Sequence, residues 1–113
     1  MNSPIDLTTL ALTPNDGYLN RVVATVNDHE VHVSVMTFPY EWHLHPDSDE
    51  TFIVTEGTLV IDLEAGSMHV HAGQLLTVPA GVRHRTRPMG ARSVNLTVER
   101  KHATTVFCDD PRA

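Results

Sequence analysis

The sequence has few of the features that mark disulfide-rich, redox or membrane proteins. It holds one cysteine, Cys108, among 113 residues, which excludes an internal disulfide and any CxxC metal or redox motif. No apolar run approaches the ~20 residues that span a bilayer, and the N-terminus lacks the basic-then-apolar order of a signal peptide. We therefore expect a cytoplasmic protein with no membrane segment.

Positive charge and aromatic side chains are also scarce. Eight Lys and Arg stand against fourteen Asp and Glu, for a formal net charge of −6, and no basic patch resembles a footprint for phosphate backbones. Nucleic acid is therefore not an expected partner. Three Phe, two Tyr and one Trp contrast with eight histidines, so the spacing of the histidines becomes the informative feature.

The hydrophobic pattern predicts one all-β domain. A chain of this length builds a single core, period-two alternation with β-branched residues recurs along it, and the helical period is nearly absent. Residues 1–20 are expected to form an extended N-terminal arm, in preference to a helical turn begun by Ser3, Pro4 and Asp6. Residues 21–108 form the barrel and 109–113 the C-terminal tail. The predicted strands are 21–26, 31–38, 51–55, 58–63, 67–71, 75–78, 93–99 and 104–107.

Two histidines and a carboxylate lie at a spacing that suits metal binding. His43 and His45 are separated by one residue, so both rings project from the same face if the backbone is extended. A turn follows, and Glu50 opens the next strand and can return beside the two rings. Asp49 is its neighbour and a possible substitute, although Glu50 has the longer reach. In a closed barrel, a rigid Pro-x-Gly turn delivers His84 to the same cavity.

Three imidazoles and one carboxylate suit a divalent first-row metal. Nitrogen ligands favour iron, nickel, copper or zinc, and the oxygen ligand keeps manganese among the candidates. An octahedral ion held by four side chains retains two positions for water or substrate. The residues therefore permit catalysis at the ion without showing it.

These residues resemble the two motifs of the cupin superfamily. The resemblance implies a jelly-roll barrel, or double-stranded β-helix, in which His43, His45, Glu50 and His84 hold the metal. Thr37 and Pro88 depart from the family's pattern, which usually has Gly and Asn there, so they change the surroundings of the site. The first motif reads His43, His45, Glu50 and Gly57, and the second reads Gly73, Pro79, Gly81 and His84.

The resemblance also implies a range of functions. We expect a metal-dependent enzyme, a dioxygenase, isomerase or related type, acting on a small molecule, with anionic compounds among the candidates. The metal is Fe, Mn, Ni or Zn. A non-catalytic ligand-binding or sensor module and a metal-free structural barrel are the alternatives. Small relatives usually pair, which predicts a homodimer whose arm covers the partner's sheet edge.

Several other residues carry weaker signals. Arg83, Arg85 and Arg87 alternate around His84 and are expected to form a solvated rim, in preference to an anion-attracting mouth. Trp42 covers the cavity mouth, lies at a dimer contact or packs under the rim. Gln74 and Asn95 face either a bound molecule or water. Ordinary core or surface roles are assigned to His29, His32, His69, His71 and His102.

Overall fold

A computed structural model describes residues 3–12 and 19–113, which form two antiparallel sheets and one short helix. The sheets have the strand orders β1-β2-β9-β4-β7 and β10-β3-β8-β5-β6. This is the predicted all-β, double-stranded β-helix fold. The elements are α1 (Leu7–Leu10), β1 (Leu19–Val26), β2 (His29–Met36), β3 (His43–Leu44), β4 (Glu50–Glu56), β5 (Thr58–Leu63), β6 (Gly66–His71), β7 (Leu75–Val78), β8 (His84–Pro88), β9 (Ser93–Arg100) and β10 (Val106–Phe107).

The strands whose side chains alternate clearly between apolar and polar lie close to their predicted positions. Two short strands, β3 and β8, were not predicted. Strand β2 ends at Met36, before the predicted end at Phe38, whose side chain is half exposed. Strand β8 shows no alternation of apolar and polar residues, because its inward positions are His84 and Thr86. Strand β3 has only two residues and owes its conformation to pairing with β8 and β10.

The main apolar cluster fills the space between the two sheets. Alternate residues of β4 and β5 point into it, so each strand contributes one face to the core. Met36 and Phe52 belong to this cluster and also line the cavity described below, so the cavity floor rests on the core. The buried members are Met36, Phe52, Val54, Leu59, Ile61, Val70 and Val78.

The N-terminal arm contains a helical turn, contrary to the extended arm that we predicted. The side chain of Asp6 caps α1 by accepting a hydrogen bond from the backbone N–H of Thr9 at 3.1 Å. Ala11 is buried against Val33 and Val35 on the face of β2 that points away from the cavity. The arm therefore packs on its own sheet, while residues 13–18 of the predicted arm lie outside the described residues.

Candidate metal centre

The short strand β3 brings the three candidate histidines together. His43 is the register partner of His84 on β8, and their ring centroids are 4.2 Å apart. His45 lies just beyond β3, with its ring centroid 4.9 Å from that of His43 and 5.6 Å from that of His84. All three side chains are buried. The pair predicted from the spacing and the distant His84 therefore occupy one site.

Glu50 completes this group at the first residue of β4. Its Oε1 atom lies 3.2 Å from Nε2 of His45 and 3.2 Å from Nε2 of His84. One ligand atom from each of His43, His45, Glu50 and His84 lies within 4.8 Å of the others. Donors on opposite sides of one ion lie about 4 Å apart, because each metal–ligand bond is about 2 Å long, so a small inward movement of the side chains would let all four reach a single ion.

Asp49, the alternative carboxylate, points elsewhere. Its Oδ1 accepts a hydrogen bond from the backbone N–H of Ala80 at 2.8 Å. That bond ties the turn before β4 to the Pro79-Ala80-Gly81 turn before His84. Asp49 thus helps to hold two ligand-bearing segments together and is not part of the donor group.

Backbone carbonyl groups fix the orientation of all three imidazoles. Nδ1 of His43 lies 2.7 Å from the carbonyl oxygen of Glu41, and Nδ1 of His84 lies 2.9 Å from that of Val82. Nδ1 of His45 lies 3.0 Å from the carbonyl oxygen of Thr104. A carbonyl oxygen only accepts, so each Nδ1 carries the proton and donates it. Each Nε2 is then left with its lone pair towards the centre, which is the tautomer that a metal ligand needs.

The charges inside the group respond strongly to one another. Burial, together with the nearby His84, lowers the pKa of His43 to about 4. Burial also opposes the charge of His45, but the Glu50 carboxylate outweighs it and raises the pKa of His45 to about 9. The same contacts with His45 and His84 overcome burial and lower the pKa of Glu50 to about 2. In the absence of a cation, the carboxylate therefore favours a second proton on His45, at Nε2, and a bound metal would replace that proton.

The donor group fits a metal ion. Nε2 of His45 is buried, and although it lies 3.2 Å from Glu50 it has no hydrogen-bond partner of proper geometry. A buried nitrogen without a partner is costly, and a cation at the centre of the group would satisfy it. The donor set of three nitrogens and one oxygen is that of a divalent transition metal.

A cavity of about 120 Å³ opens beside the donor group and is lined by three of its members, His43, His45 and Glu50. Its wall comes from both sheets and includes Ser34 on β2, Thr86 on β8, and Asn95 and Thr97 on β9. Sites for drug-sized ligands usually have about 300–1,000 Å³, so this one suits a much smaller compound. The sequence left open whether Asn95 faces a bound molecule or water. Asn95 is almost fully buried in the cavity wall and does not face bulk water.

Glu99 is a cavity residue that the sequence analysis missed. One of its carboxylate oxygens, Oε2, is buried without a hydrogen-bond partner and lies 3.9 Å from Nε2 of His45. Burial and the neighbouring Glu50 raise the pKa of Glu99 to about 7. The available signal was the polar side of β9, where Asn95, Thr97 and Glu99 alternate with apolar residues.

The remaining candidates lie outside the donor group. The Nδ1 atom of His71 contacts the hydroxyl of Thr58, and Gln74 accepts from the backbone of His71 on the outside of the barrel. Within the described part of the chain, the histidines that do not join the donor group are His29, His32, His69, His71 and His102. Their assignment to ordinary roles agrees with this placement.

The arginines around His84 do not line the cavity mouth. Arg85 and Arg87 point to the opposite face of β8 and pair with the fully buried carboxylate of Asp62, at 2.8 and 2.9 Å. Arg85 also covers the ring of Trp42, 5.5 Å from its centroid, so Trp42 packs on this outer face. Only Arg83 has the predicted solvated position, where it pairs with Glu64.

Comparisons with known proteins agree with the fold and the motifs. Residues 29–98 match the cupin domain family, and this segment covers more than half of the chain. The chain belongs to the cupin family. This cupin is 42% identical over 111 residues to YdbB of Bacillus subtilis (strain 168), an uncharacterized protein, and the match covers 97% of both chains.

Solved structures also resemble this cupin. A cupin-2 domain protein of Shewanella frigidimarina matches with a TM-score of 0.71 and 27% identity, covering 83% of this chain and 99% of the other. A double-stranded β-helix protein of Klebsiella pneumoniae matches with a TM-score of 0.80 and 19% identity, covering 97% and 100%. The second likeness shows the fold alone. In the described part of this cupin, no helix is both long and apolar enough to cross a membrane.

Proposed function

We propose that this cupin is a metal-dependent enzyme that acts on a small molecule bound in the barrel cavity. His43, His45, Glu50 and His84 would hold a divalent transition metal, which is Fe, Mn, Ni or Zn. The observation that supports this most strongly is the fixed tautomer of the histidines. Three Nδ1–H groups donate to backbone carbonyls, so the Nε2 atoms of all three rings converge beside Glu50 and the cavity.

The chain's residues have separate parts in this proposal. The donor group would hold the ion beside the cavity, and the backbone carbonyls of Glu41, Val82 and Thr104 keep the rings from turning. Met36 and Phe52 close the cavity against the core and limit the space for water. When bound, the metal would supply a Lewis acid that polarises a carbonyl or hydroxyl oxygen of the compound.

The first experiment measures metal content in protein purified without a His-tag. We expect a stoichiometric transition metal in the wild type and in His71→Gln, because His71 lies outside the donor group. His84→Gln should lose most of that metal. Equal metal in His84→Gln and the wild type would contradict the proposed site.

A second experiment separates an enzyme from a binding module. The chelator-treated and the metal-reloaded protein are incubated with a set of small polar compounds, and NMR records binding and conversion separately. An enzyme converts at least one compound only after reloading. Binding without conversion across the set would favour the ligand-binding or sensor alternative. Oxygen uptake during conversion would favour a dioxygenase. Conversion without oxygen uptake would favour an isomerase.

A further inference from the structure

The wall of the cavity offers hydrogen-bond acceptors that nothing in the described chain uses. Asn95 is 1% exposed, and its Oδ1 atom has no hydrogen-bond partner. Its Nδ2 group donates to the backbone oxygen of Leu96 at 3.4 Å, which leaves Oδ1 as the unused end of the amide. A buried acceptor without a donor destabilises the protein, so a ligand that supplies the donor recovers this free energy.

Glu99 adds a second unused acceptor on the same strand. Asn95 and Glu99 both belong to the polar face of β9, and Oε2 of Glu99 is also buried without a partner. A carboxyl group keeps at least one accepting oxygen whether or not it carries a proton. Its role as an acceptor therefore does not depend on its state of ionisation.

The cavity wall contains no lysine or arginine among the described residues. Arg85 and Arg87 pair with Asp62 on the outer face, and Arg83 pairs with Glu64. An anionic group placed against Asn95 and Glu99, on the side away from the metal, would meet oxygen atoms and no lysine or arginine. Such like-charge contact and unpaired burial are unfavourable.

We infer that Asn95 and Glu99 form an acceptor wall that selects a small ligand carrying a hydrogen-bond donor, either a hydroxyl or an ammonium group, opposite its metal-facing oxygen. This inference rests on the proposed function and names the ligand class for the same site. It replaces the earlier expectation of an anionic compound, which depended on arginines at the cavity mouth. The cavity volume of about 120 Å³ restricts the ligand to a few non-hydrogen atoms.

The test measures the binding of four small probes to cobalt(II)-loaded protein. The probes have nearly the same number of non-hydrogen atoms. Ethylene glycol carries a second hydroxyl, ethanolamine an ammonium and glycolate a carboxylate, while 1-propanol has no second polar group. Proton relaxation of each probe near the paramagnetic ion gives its affinity. Comparison of ethylene glycol with ethanolamine decides between the neutral and the cationic donor.

Two variants of Asn95 give the readout. Asn95→Leu should weaken binding of ethylene glycol or ethanolamine about tenfold, as expected for loss of a buried hydrogen bond, and leave 1-propanol unchanged. Asn95→Asp retains an acceptor and should preserve donor binding, which controls for a folding defect in Asn95→Leu. Equal affinities of the donor probes in the wild type and a folded Asn95→Leu would overturn the inference.

A third variant tests the contribution of Glu99. Glu99→Gln should strengthen glycolate binding relative to the wild type, because the amide removes a repelling oxygen and adds a donor. Glu64→Gln is the matched control, since Glu64 pairs with Arg83 at the surface. Glycolate binding that is unchanged in Glu99→Gln would also count against the wall. Protein that fails to hold cobalt contradicts the metal site, whereas cobalt-loaded protein without these differences contradicts only the inference.

Discussion

The neighbouring carboxylates of Asp49 and Glu50 point in different directions at the start of β4. Glu50 turns into the barrel and touches His45 and His84, whereas Asp49 turns out and accepts from Ala80. The strand pleat explains the difference, because successive side chains point to opposite faces. A shift of one residue in register would exchange their directions, so that the shorter side chain of Asp49 would replace Glu50 in the donor group.

Adjacent substitutions of these carboxylates provide a direct comparison. Glu50→Gln should weaken cobalt(II) or zinc binding by more than about 100-fold, because loss of even an outer partner of a ligand costs about 10–100-fold. Asp49→Asn should bind within a few-fold of the wild type. Isothermal titration calorimetry of both variants measures this. Similar metal affinities for Glu50→Gln and the wild type would show that the carboxylate is not a ligand.

Asp62 is the buried charge on the other face of the barrel. Burial disfavours its ionised form, but hydrogen bonds from Arg87, Ser67 and Arg85 outweigh this and hold the pKa of Asp62 well below its usual range. A depressed pKa in the folded state stabilises the protein above the unfolded value of 3.8. This stability is lost as the pH falls further and the carboxylate takes up a proton.

The variant Asp62→Asn should therefore lower the free energy of unfolding by about 3 kcal/mol at neutral pH, the cost of breaking a buried ion pair. It should also flatten the loss of stability between about pH 5 and pH 2 that the wild type shows. Urea denaturation across this range measures both effects. Glu64→Gln removes an exposed pair and should change little. Parallel pH curves for Asp62→Asn and the wild type would refute this account.

At the scale of secondary structure, the turn between β4 and β5 depends on one glycine. Gly57 has a φ of +72°, and a Cβ placed there would lie 2.7 Å from the carbonyl oxygen of Arg92. Gly57 joins β4 to β5 and Arg92 directly precedes β9, so paired strands restrict the movement of both backbones. Gly90 has a similar φ of +81°, but a Cβ there would have no neighbour within 4 Å.

The comparison of two alanine variants separates clash from backbone strain. Gly90→Ala should cost about 1 kcal/mol, the ordinary penalty for a left-handed conformation. Gly57→Ala should lower the free energy of unfolding by about 1–3 kcal/mol more, because its Cβ also clashes with the carbonyl oxygen of Arg92. Chemical denaturation midpoints give both values. Equal losses for the two variants would mean that the contact with Arg92 relaxes without cost.

Local patterns predicted most of the strands and the members of the donor group. Alternating residues defined β5 and β7 within their observed bounds, and the spacing of His43, His45 and Glu50 indicated convergence. Sequence patterns did not predict β3 or β8, because β3 is very short and β8 has polar residues facing inward. The arm's helical turn was the less favoured of two predictions, since its clearest signal is a single cap residue, Asp6.

Contacts between distant segments explain why other parts of the site were not predicted. The carbonyl that orients His45 belongs to Thr104, 59 residues further along the chain. Glu99 approaches His45 only because β9 pairs with β4 in a particular register. No local period contains this information. The outward direction of Arg85 and Arg87 likewise follows from pairing of β8 with Asp62 on β5.

For the whole molecule, the donor group links metal binding to stability. A metal that binds only the folded chain stabilises it, by about 2.7 kcal/mol at 100 times the dissociation constant. For a domain of this size, that corresponds to a rise in melting temperature of about 10 °C. Differential scanning calorimetry before and after removal of metal with a chelator measures the change. His84→Gln should lose this rise and His71→Gln should keep it, and a rise in both would contradict the assignment.

Association and location stay predictions. The arm packs on its own sheet through Ala11, which leaves the predicted homodimer to form through other surfaces. The exposed apolar side chains of Met68 and Leu75 lie on strands β6 and β7 at the sheet edges, where association is favoured. Light scattering should give twice the chain mass of 12.5 kDa, and a single chain mass would refute the dimer.

X-ray absorption at the zinc edge tests the shared ion most directly. Tag-free protein is stripped, reloaded with zinc and dialysed before measurement, together with His84→Gln. The account predicts a stoichiometric ion with nitrogen and oxygen neighbours at about 2.0–2.2 Å and the outer-shell scattering of three imidazoles in the wild type. It predicts fewer imidazoles or no retained zinc in the variant. Zinc that is not retained by the wild type, or that shows no imidazole scattering, would contradict it.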